Sequence, residues 1–463
     1  MDAKGPIRVA IVGSGMAGLV TAYLLHRDSR QRYAVKLFES GKSLSLDSAS
    51  VSVPNASGTS TDRVDLPMRA FAGGYYNNLK AMYDHLGVKY HSQPFLFEFA
   101  MVHAEAVGRR NSNGDPSYFI HASNLHKMPP PRPSAVATIS YLAEVVYLLA
   151  CYTWFSLCCF LVAPRIGHRG LSETLDDYLK RIWLPEYFAT YYLLPLISSV
   201  TTCPHKSLLA FPASDLTEYK RKTNGAPHYT VSNGVKAVQG KLVEGIDYEL
   251  AALVSAVEPS SDGVRLRWKR DHDNTETESR METFDRVVLA VSPDIVGQVF
   301  ETLRRAMSRI PTMPVESVVH NDRSTLGAEE FGESSETGHS AQLISLRTSS
   351  DGTNRTESIH VQPSGALVTT CPFSPIDPSL TLHSAIFTRV LRSPESRRIV
   401  NSIFGDTHDY FGDEKGILEW KNGDGNVWLV GGWCWDGMVL LEGCVISAMR
   451  VADAFGVEVP WRH

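Results

Sequence analysis

The sequence predicts an α/β protein in which a Rossmann-type parallel sheet is assembled from distant segments and joined to a mixed α+β domain. The apolar, β-branched run Ile7–Val12 is typical of a buried parallel strand. It leads through glycines into residues 16–27, whose apolar positions have helical spacing, and a second strand at 34–39 completes a βαβ unit. A last buried strand at 427–430 and a helix at 441–455 are predicted at the opposite end of the chain.

The segments between these two ends alternate between helical and strand patterns. Residues 42–62 are rich in serine and are expected to be irregular, and 317–350 is polar with an acidic loop at 329–336. The other predicted elements are, in order, a helix at 77–86, helices at 171–182 and 185–200, a turn and helix at 228–242, and strands at 254–257, 264–268 and 286–291.

The composition is that of an ordinary globular protein of two to three domains. The chain has 463 residues, 43% hydrophobic and 21% charged, with a net charge of −5, and one domain holds roughly 100–200 residues. These values exclude a disordered chain, a collagen-like chain and a disulfide-dense miniprotein. Nucleic acids are held mainly by Lys and Arg on phosphates, and no stretch gathers these residues into a patch, so we expect no nucleic-acid partner.

The cysteines predict a reducing, cytoplasmic location. There are seven of them, an odd number, and no two form a CxxC pair, which favours free thiols. No His and Cys residues have the spacing of a zinc site, so no metal is expected. The first apolar run is short and leads directly into glycines, unlike a secretory signal peptide.

The strongest motif is the glycine-rich turn between the first strand and the first helix. Its first glycine allows the tight turn, its second lets a pyrophosphate approach the backbone, and its third lets the helix pack close to the strand. The N–H groups of the helix N-terminus then face the phosphates. The residues predicted to bind a dinucleotide here are Gly13, Ser14, Gly15, Met16, Ala17 and Gly18.

An acidic residue at the end of the second strand extends this site. Glu39, followed by Ser40, is placed to accept hydrogen bonds from ribose hydroxyl groups. FAD and NAD share this fingerprint, so the C-terminal segment decides between them. The strand at 427–430 runs into a Gly-Gly turn ahead of the helix at 441–455. A second helix N-terminus can stabilise negative charge on a reduced flavin, which a simple NAD enzyme does not need.

Together, the two ends of the chain resemble the flavin-containing amine oxidase superfamily, the group that shares the FAD fold of monoamine oxidases, protoporphyrinogen oxidase and phytoene desaturases. The resemblance covers most of the chain in order. Residues 170–179 and 191–213 are most similar to a less characterised branch described only as predicted NAD/FAD-binding proteins, in which the matching stretch is a helical part of the substrate domain. The resemblance implies FAD as the cofactor.

The resemblance also implies further contacts with FAD. Residues 65–69 are similar to the segment that passes the flavin ring, and 251–257 with 284–292 resemble the strands on the adenine side. The remaining positions surround the start of the last helix. The residues implied in this way are Met68, Arg69, Val254, Gly432, Glu442, Gly443 and Val445.

Two departures from the family pattern bear on the cofactor. Where the family usually has Gly-Gly followed by Arg or His, this sequence has Ser45, Leu46 and Asp47. Some members attach the flavin covalently through a C-terminal cysteine. Cys434 precedes Glu442 by eight residues and does not fall clearly on that position, so noncovalent FAD is expected.

Two side chains are candidates for chemistry beyond the flavin. His320 stands where the same branch commonly has a Leu-His-x-Asp, and a His near a flavin could move a proton at neutral pH. Its alternative role is that of a structural, hydrogen-bonded His. Trp435, with Trp433 nearby, could line a pocket, although Leu440 replaces a Tyr of the family's aromatic pair, and core packing is the alternative. Glu442 could be an acid or base, with helix capping as its alternative.

Residues 135–163 form a long apolar run whose only charge is Glu144. The run is long enough for a bilayer, which needs ~20 apolar residues. A single crossing would separate the two cofactor-binding ends of the chain. We therefore expect a helix that lines a substrate channel or seats the enzyme on a membrane surface, with core packing as the alternative.

These assignments predict the domain organisation and the function. The FAD-binding domain is expected to comprise 1–100, 225–310 and 415–463, and the substrate domain 101–224 and 311–414. The resemblance implies oxidation or desaturation of a hydrophobic small molecule by hydride transfer to or from flavin N5, because the cofactor carries the redox chemistry. Two alternatives are a redox-neutral FAD-dependent isomerase or cyclase and a non-catalytic FAD-binding protein.

Overall fold

The computed structural model describes residues 5–54, 61–66, 70–102, 117–122, 132–167, 171–270, 279–326, 341–349, 354–405 and 419–462. Two of the predicted cofactor-binding residues, Met68 and Arg69, lie outside these ranges, as does the acidic loop predicted at 329–336.

The strands, in chain order, are β1 (Ile7–Val12), β2 (Tyr33–Phe38), β3 (Ser50–Pro54), β4 (Thr61–Asp65), β5 (Phe71–Ala72), β6 (Tyr90–Ser92), β7 (Phe95–Val102), β8 (Ser117–Ala122), β9 (His228–Val231), β10 (Asp247–Glu249), β11 (Ala252–Ser260), β12 (Gly263–Arg270), β13 (Arg280–Phe284), β14 (Arg286–Leu289), β15 (Thr312–His320), β16 (Gln342–Ser349), β17 (Thr356–Val361), β18 (Leu367–Thr370), β19 (Thr381–Val390) and β20 (Val427–Leu429).

The helices are α1 (Met16–His26), α2 (Ser45–Ser48), α3 (Asn77–His85), α4 (Thr138–Leu161), α5 (Leu175–Arg181), α6 (Glu186–Phe188), α7 (Leu194–Thr201), α8 (His205–Leu209), α9 (Ala213–Thr223), α10 (Gly234–Leu242), α11 (Pro293–Val299), α12 (Arg304–Met307), α13 (Pro394–Phe404) and α14 (Leu441–Ala454). One turn of π-helix, Ala189–Leu193, connects α6 to α7.

A five-stranded parallel sheet in the order β10-β2-β1-β14-β20 confirms the predicted Rossmann-type fold. Its strands come from both ends and the middle of the chain. Helices α1 and α14 pack on one face of this sheet, and α11 with the antiparallel sheet β11-β12-β13 covers the other. Because both faces are covered, β1 is apolar and buried from Val9 to Val12 and β14 from Val287 to Leu289, which is why the sequence identifies them so clearly.

The second layer is a seven-stranded mixed sheet in the order β19-β15-β18-β17-β16-β7-β8. Its neighbours are antiparallel except for β7 and β16. Strand β7 runs through residue 100, so the predicted domain boundary at that residue falls inside a strand of this sheet. Helix α13 packs Ile399, Val400 and Ile403 into the core of the parallel sheet, although the sequence predicts that 311–414 belongs to the substrate domain.

The serine-rich segment at 42–62 is more regular than its composition predicts. It contains α2 and the first strand of the β3-β4 hairpin. Val53 and Val64 of this hairpin pack with Val319 and Val368 of the seven-stranded sheet in a small separate core. Val53 and Val64 hold the hairpin against this sheet. Because serines surround Val53, the sequence shows no clear alternation of apolar and polar residues there.

The apolar run predicted at 135–163 forms α4, whose two faces differ sharply. Its inward face packs against α5, α9 and the seven-stranded sheet. Among the described helices, α4 is the one that is long and apolar enough to cross a bilayer. Its outward side chains are 48–83% exposed, and they are Ile139, Leu142, Val146, Leu149, Trp154, Leu157, Phe160 and Leu161.

Two polar side chains in the middle of α4, Thr153 and Glu144, are hydrogen-bonded within the protein. The Thr153 hydroxyl donates to the backbone carbonyl of Leu149 at 2.7 Å. The Glu144 carboxylate accepts hydrogen bonds from the Tyr187 and Tyr192 hydroxyls. The outward face of this helix is therefore an apolar stripe with no charge.

Candidate functional site

A cavity of about 410 Å³ lies between the two large sheets. We call the side formed by the parallel sheet the glycine wall. It follows the carboxyl ends of β1, β14 and β20 and is lined by Gly15, Met16, Ala17, Ala290, Val291, Ser292, Gly431, Gly432, Trp433, Leu440, Leu441 and Cys444. We call the opposite side the sheet wall. Its lining includes Phe95, Phe97, Val200, His228, Val315, Ile344, Ser358, His360, Val368, Thr370, Phe387, Arg389 and Val390.

The three glycines of the motif differ in the space that surrounds each of them. Gly13 has a φ of +100°, and a Cβ there would lie 2.6 Å from the Ala290 carbonyl oxygen. A Cβ at Gly18 would lie 2.0 Å from the Gly13 carbonyl oxygen. Gly15 has an ordinary φ of −64°, and nothing lies within 4 Å of the position of its Cβ. The protein therefore needs glycine at 13 and 18 for its own packing, whereas the absence of a side chain at 15 leaves open space.

That open space meets the start of α1. Gly15 is the N-cap of α1 and supplies no capping side chain, and no acidic residue lies in the first turn. The first N–H groups of a helix lack partners within the helix and carry the positive end of its dipole, so this position suits an anion such as a pyrophosphate. Met16 and Ala17, in the first turn, line the cavity.

Glu39 is buried behind the turn and is held by its surroundings. Its Oε2 accepts from the Ser14 backbone N–H at 3.0 Å and from the Ser45 hydroxyl at 3.2 Å. Its Oε1 accepts from the Gly41 N–H at 2.8 Å and the Ser40 hydroxyl at 3.3 Å. The carboxylate thus ties the glycine turn to the end of β2. Recognition of a ribose by Glu39 stays a prediction.

Val254 lies in the same neighbourhood. The Ala252 N–H, at the start of β11, donates to the Glu39 carbonyl oxygen at 2.8 Å, and Val254 follows two residues later in a buried position. The structure therefore brings Val254 close to the end of β2, where the resemblance places the adenine. Contact with adenine itself is untested.

At the C-terminal turn, Gly432 lines the cavity, and its Cβ would lie 3.0 Å from the Leu440 carbonyl oxygen. Gly443 is required by packing, because a Cβ there would lie 2.3 Å from Trp435 Nε1. The Val445 side chain is fully buried in the core beneath α14 and does not line the cavity.

Glu442 is a capping residue for α3 rather than for its own helix. One carboxylate oxygen accepts from the Asn78 backbone and side-chain N–H groups at 2.9 and 2.7 Å, and the other accepts from the Leu79 N–H at 3.0 Å. Burial raises the pKa of Glu442. This arrangement fixes α14 against α3. The sequence favours a capping role at the start of Glu442's own helix, and the carboxylate instead caps the neighbouring helix.

Of the two tryptophans, the structure brings Trp433 to the cavity and not Trp435. Trp433 donates its indole N–H to the Val291 carbonyl oxygen at 3.2 Å and lines the glycine wall. Trp435 donates to the Met438 carbonyl oxygen at 3.0 Å and packs edge-on against Tyr75. Core packing is therefore the role that the geometry gives to Trp435.

His320 likewise does not line the cavity. It is fully buried on β15, where its Nε2 pairs with the Thr369 hydroxyl at 2.7 Å and its Nδ1 accepts from the Asp322 N–H at 3.1 Å. Burial lowers the pKa of His320 to about 4. Both ring nitrogens are used inside the sheet, so the geometry corresponds to the structural alternative and not to proton transfer at the cavity.

The sheet wall contains polar residues that the sequence analysis missed. His360 is buried between two amides: its Nε2 pairs with Gln342 Oε1 at 2.7 Å and its Nδ1 with Gln362 Nε2 at 2.9 Å. Burial lowers its pKa to about 3. Burial also lowers the pKa of His228, whose Nδ1 has no hydrogen-bond partner in the described part of the chain. No motif marks these residues, because each stands alone on its strand.

A buried ion pair between Arg392 and Asp215 connects the C-terminal turn to α9, outside the lining of the cavity. Arg392 Nη2 donates to the carbonyl oxygens of Trp435 and Gly437 at 2.8 and 2.7 Å and so holds the C-terminal turn. Its Nε lies 3.8 Å from Asp215 Oδ2 on α9, and neither Asp215 oxygen has a hydrogen-bond partner among the described residues. Burial, the larger effect, raises the pKa of Asp215 to about 6 against the attraction of Arg392.

The comparisons with known proteins agree with this architecture. Residues 11–86 match the family model for an NAD(P)-binding Rossmann-like domain. No curated protein matches the chain by sequence. Cyclohexylamine oxidase from Brevibacterium oxydans IH-35A is similar in structure, with a TM-score of 0.55, 13% identity, and coverage of 97% of this chain and 98% of that one.

Two further solved structures share the fold over nearly their whole length. A CLA-producing fatty acid isomerase from P. acnes has a TM-score of 0.57 and 13% identity, covering 97% of this chain and 99% of that one. An oxidoreductase from Methanosarcina mazei has a TM-score of 0.54 and 10% identity, covering 96% and 100%. Residues 11–86 are therefore similar to an NAD(P)-binding Rossmann-like domain, and the chain shares its overall fold with these three solved structures.

Proposed function

We propose that the protein is an FAD-dependent oxidoreductase that acts on a hydrophobic small molecule in the cavity between the two sheets. The observation that carries this proposal is the continuity of the cavity. One side is the glycine wall, with the anion-binding start of α1, and the other is the largely apolar sheet wall. A cofactor on the first wall and a substrate on the second would meet without crossing a protein layer.

The residues of the glycine wall fit a dinucleotide. The open space at Gly15 accepts a pyrophosphate, and the N–H groups of α1 neutralise part of its charge. The backbone of the C-terminal turn, held by Arg392, offers a second contact at Gly432. When bound there, FAD would supply the hydride acceptor or donor. The protein's own part is to hold the dinucleotide, exclude water and orient the substrate.

The neutral histidines of the sheet wall bear on proton handling. His228 and His360 line the cavity, and burial lowers both of their pKa values, so each is uncharged near neutral pH. His360 has both ring nitrogens occupied by amides, and His228 Nδ1 is buried without a hydrogen-bond partner among the described residues. We therefore assign proton transfer to neither histidine.

We propose noncovalent FAD. Cys434 is fully buried and does not line the cavity, whereas Cys444 lines it at the start of α14. Acid precipitation of the protein is expected to release all yellow colour to the supernatant. A flavin-modified peptide containing Cys444 or Cys434 would contradict this attachment.

The proposed reaction is tested by adding apolar candidate substrates to the purified protein without oxygen and recording the visible absorption. A substrate is expected to bleach the flavin, and oxygen or another acceptor should restore it. A redox-neutral isomerase is the second candidate, favoured by the shared fold with a fatty acid isomerase. It predicts product with unchanged oxidation level and no consumption of an acceptor.

A protein that contains FAD but is bleached by none of these compounds, and that does not react with oxygen after photoreduction, would indicate a non-catalytic FAD-binding protein. That result would contradict the proposed oxidoreductase activity.

A further inference from the structure

Two tyrosine side chains of the cavity lining, Tyr76 and Tyr219, present hydroxyl groups to a ligand. Within the part of the chain that the structure describes, neither hydroxyl forms a hydrogen bond, and neither is sealed from solvent as the hydroxyls of Tyr75 and Tyr152 are. Because Tyr76 as a whole is only 5% exposed, the accessible surface of its hydroxyl lies toward the cavity.

The two hydroxyls lie close to each other and away from bulk water. Both rings pack edge-on against the ring of Tyr75, with centroid distances of 5.3 Å for Tyr76 and 4.8 Å for Tyr219. Burial raises the pKa of Tyr76 well above its ordinary value, and the nearness of Tyr219 raises it further. Burial also raises the pKa of Tyr219 to about 12. Both hydroxyls therefore keep their protons at neutral pH and can donate them in hydrogen bonds.

The pair lies where the glycine wall meets the rest of the cavity. Tyr76 directly precedes α3, whose first N–H groups are capped by Glu442 of α14. Tyr219 is on α9, which also carries Asp215, the partner of Arg392. Both elements are thus tied to the C-terminal turn and the start of α14. A ligand group held by this pair therefore lies next to the expected cofactor.

An uncharged carbonyl oxygen satisfies two such donors better than other common polar groups. A buried O–H without an acceptor costs free energy, so the ligand has to supply lone pairs. A carbonyl oxygen has two lone pairs and no proton, whereas an alcohol brings a proton that needs a further acceptor and an ammonium ion has no lone pair. A carboxylate brings a full charge that neutral hydroxyls leave uncompensated, and its transfer from water costs far more.

We propose that the substrate is an apolar compound with an uncharged carbonyl group, such as a ketone, and that the Tyr76 and Tyr219 hydroxyls donate hydrogen bonds to its oxygen. This inference rests on the proposed function and names the substrate class of the same site. The hydrocarbon part lies along Phe97, Ile344 and Val368 of the sheet wall, where removing apolar surface from water is favourable. The two hydroxyls then fix which carbon of the substrate lies nearest to the glycine wall.

The first test compares ligands that share an eight-carbon chain and differ in their polar group: octan-2-one, octan-2-ol, 2-aminooctane and octanoate. Binding to the purified protein is measured by titration calorimetry, which requires no turnover. We expect octan-2-one to bind about threefold or more tightly than octan-2-ol, since one proton of the alcohol stays without an acceptor. The charged amine and octanoate are expected to bind about tenfold or more weakly than the ketone.

Three variants locate the effect. Tyr76→Phe and Tyr219→Phe each remove one hydroxyl and keep the ring, and each should weaken binding of octan-2-one about threefold to tenfold. Tyr75→Phe is the matched control, because Tyr75 is buried against both rings but does not line the cavity, and it should bind octan-2-one like the unsubstituted protein. Thermal unfolding and flavin content of each variant report on the fold and on the cofactor site.

The infrared carbonyl band of bound octan-2-one, labelled with carbon-13 at its carbonyl carbon, reports the hydrogen bonds directly. Hydrogen bonds to a carbonyl oxygen lower its stretching frequency. We expect a lower frequency in the protein than in a hydrocarbon solvent, and each of Tyr76→Phe and Tyr219→Phe should remove part of that lowering. Tyr75→Phe should keep all of it. A merely structural role of the two hydroxyls would not move this band.

Equal or tighter binding of octan-2-ol, 2-aminooctane or octanoate would overturn the proposal, as would a carbonyl band that Tyr76→Phe or Tyr219→Phe leaves unchanged in a folded protein. Loss of flavin from either variant with unchanged binding of octan-2-one would assign the hydroxyls to the cofactor and would also overturn it. Failure of the proposed function is seen separately, as a purified protein without flavin or a flavin that no compound bleaches.

Discussion

The two walls of the cavity are built in different ways. The glycine wall comes from short consecutive runs of residues after β1, β14 and β20, with Gly15, Gly431 and Gly432 among them. The sheet wall is made of residues scattered over many separate strands, from Phe95 on β7 to Val390 on β19. A ligand recognised by backbone leaves a local motif in the sequence, whereas a ligand recognised by scattered side chains leaves none.

The largest expected effect comes from the glycine wall. Gly15→Val fits the protein, because nothing lies within 4 Å of a Cβ there, but it fills the space expected to hold the pyrophosphate. The variant should purify without flavin, as measured by absorption relative to protein, and should unfold at the same temperature as the unsubstituted protein stripped of flavin.

Two matched glycines sharpen this prediction. Gly18→Val should destabilise the fold itself, since a Cβ would meet the Gly13 carbonyl oxygen at 2.0 Å. Gly240→Val, at an open and exposed position on α10, should keep its flavin. If Gly15→Val purified with a full complement of flavin, the cofactor would not lie on the glycine wall.

The next effect concerns α4, which supports the sheet wall from behind. Phe155, 2% exposed, belongs to the same buried cluster as Phe95 and Ile344 of the cavity lining, whereas Leu149 on the outward stripe is 64% exposed. Phe155→Lys should cost several kcal/mol of folding free energy, because it buries an unpaired charge. Leu149→Lys should leave the melting temperature nearly unchanged.

Contact of the outward stripe with a membrane surface stays a prediction, and the same pair of variants tests it. Because the stripe bears no charge, the unsubstituted protein should bind vesicles of uncharged lipid with little dependence on salt. Leu149→Lys should weaken that binding about tenfold. Absence of vesicle binding by the unsubstituted protein, or dimerisation through α4 in its place, would contradict membrane contact.

The smallest expected effect is on stability and concerns the ion pair between Asp215 on α9 and Arg392. The pKa of Asp215 is raised from 3.8 to about 6, so its contribution to stability is complete below about pH 4 and is lost as the pH rises through about 6. Asp215→Asn should remove this loss, which is at most about 3 kcal/mol for a shift of this size. Relative to the unsubstituted protein, the variant should gain thermal stability from about pH 4 to about pH 7.

Asp262→Asn, in an exposed turn, serves as the control and should follow the unsubstituted protein at every pH. A constant difference in melting temperature between Asp215→Asn and the unsubstituted protein across this range would show that Asp215 does not titrate there. The link between α9 and Arg392 would then depend on packing alone.

Much of the fold could be predicted because its signals are local. The apolar residues of β1, the glycines of the turn and the start of α1 all lie within a few residues in sequence, and the packing of Gly18 against the Gly13 carbonyl oxygen is itself local. For Glu442, His320 and Trp435 the sequence leaves two roles open, and the choice between them depends on a partner that only the fold brings near: Asn78, Thr369 and Tyr75.

The most direct test of this account is the visible absorption spectrum of the purified protein, recorded without oxygen before and after addition of apolar candidate substrates. We predict the absorption bands of bound flavin, and bleaching of those bands by at least one apolar compound. A colourless protein, or flavin bands that none of the compounds changes, would contradict the claim that one cavity joins the cofactor to an apolar substrate.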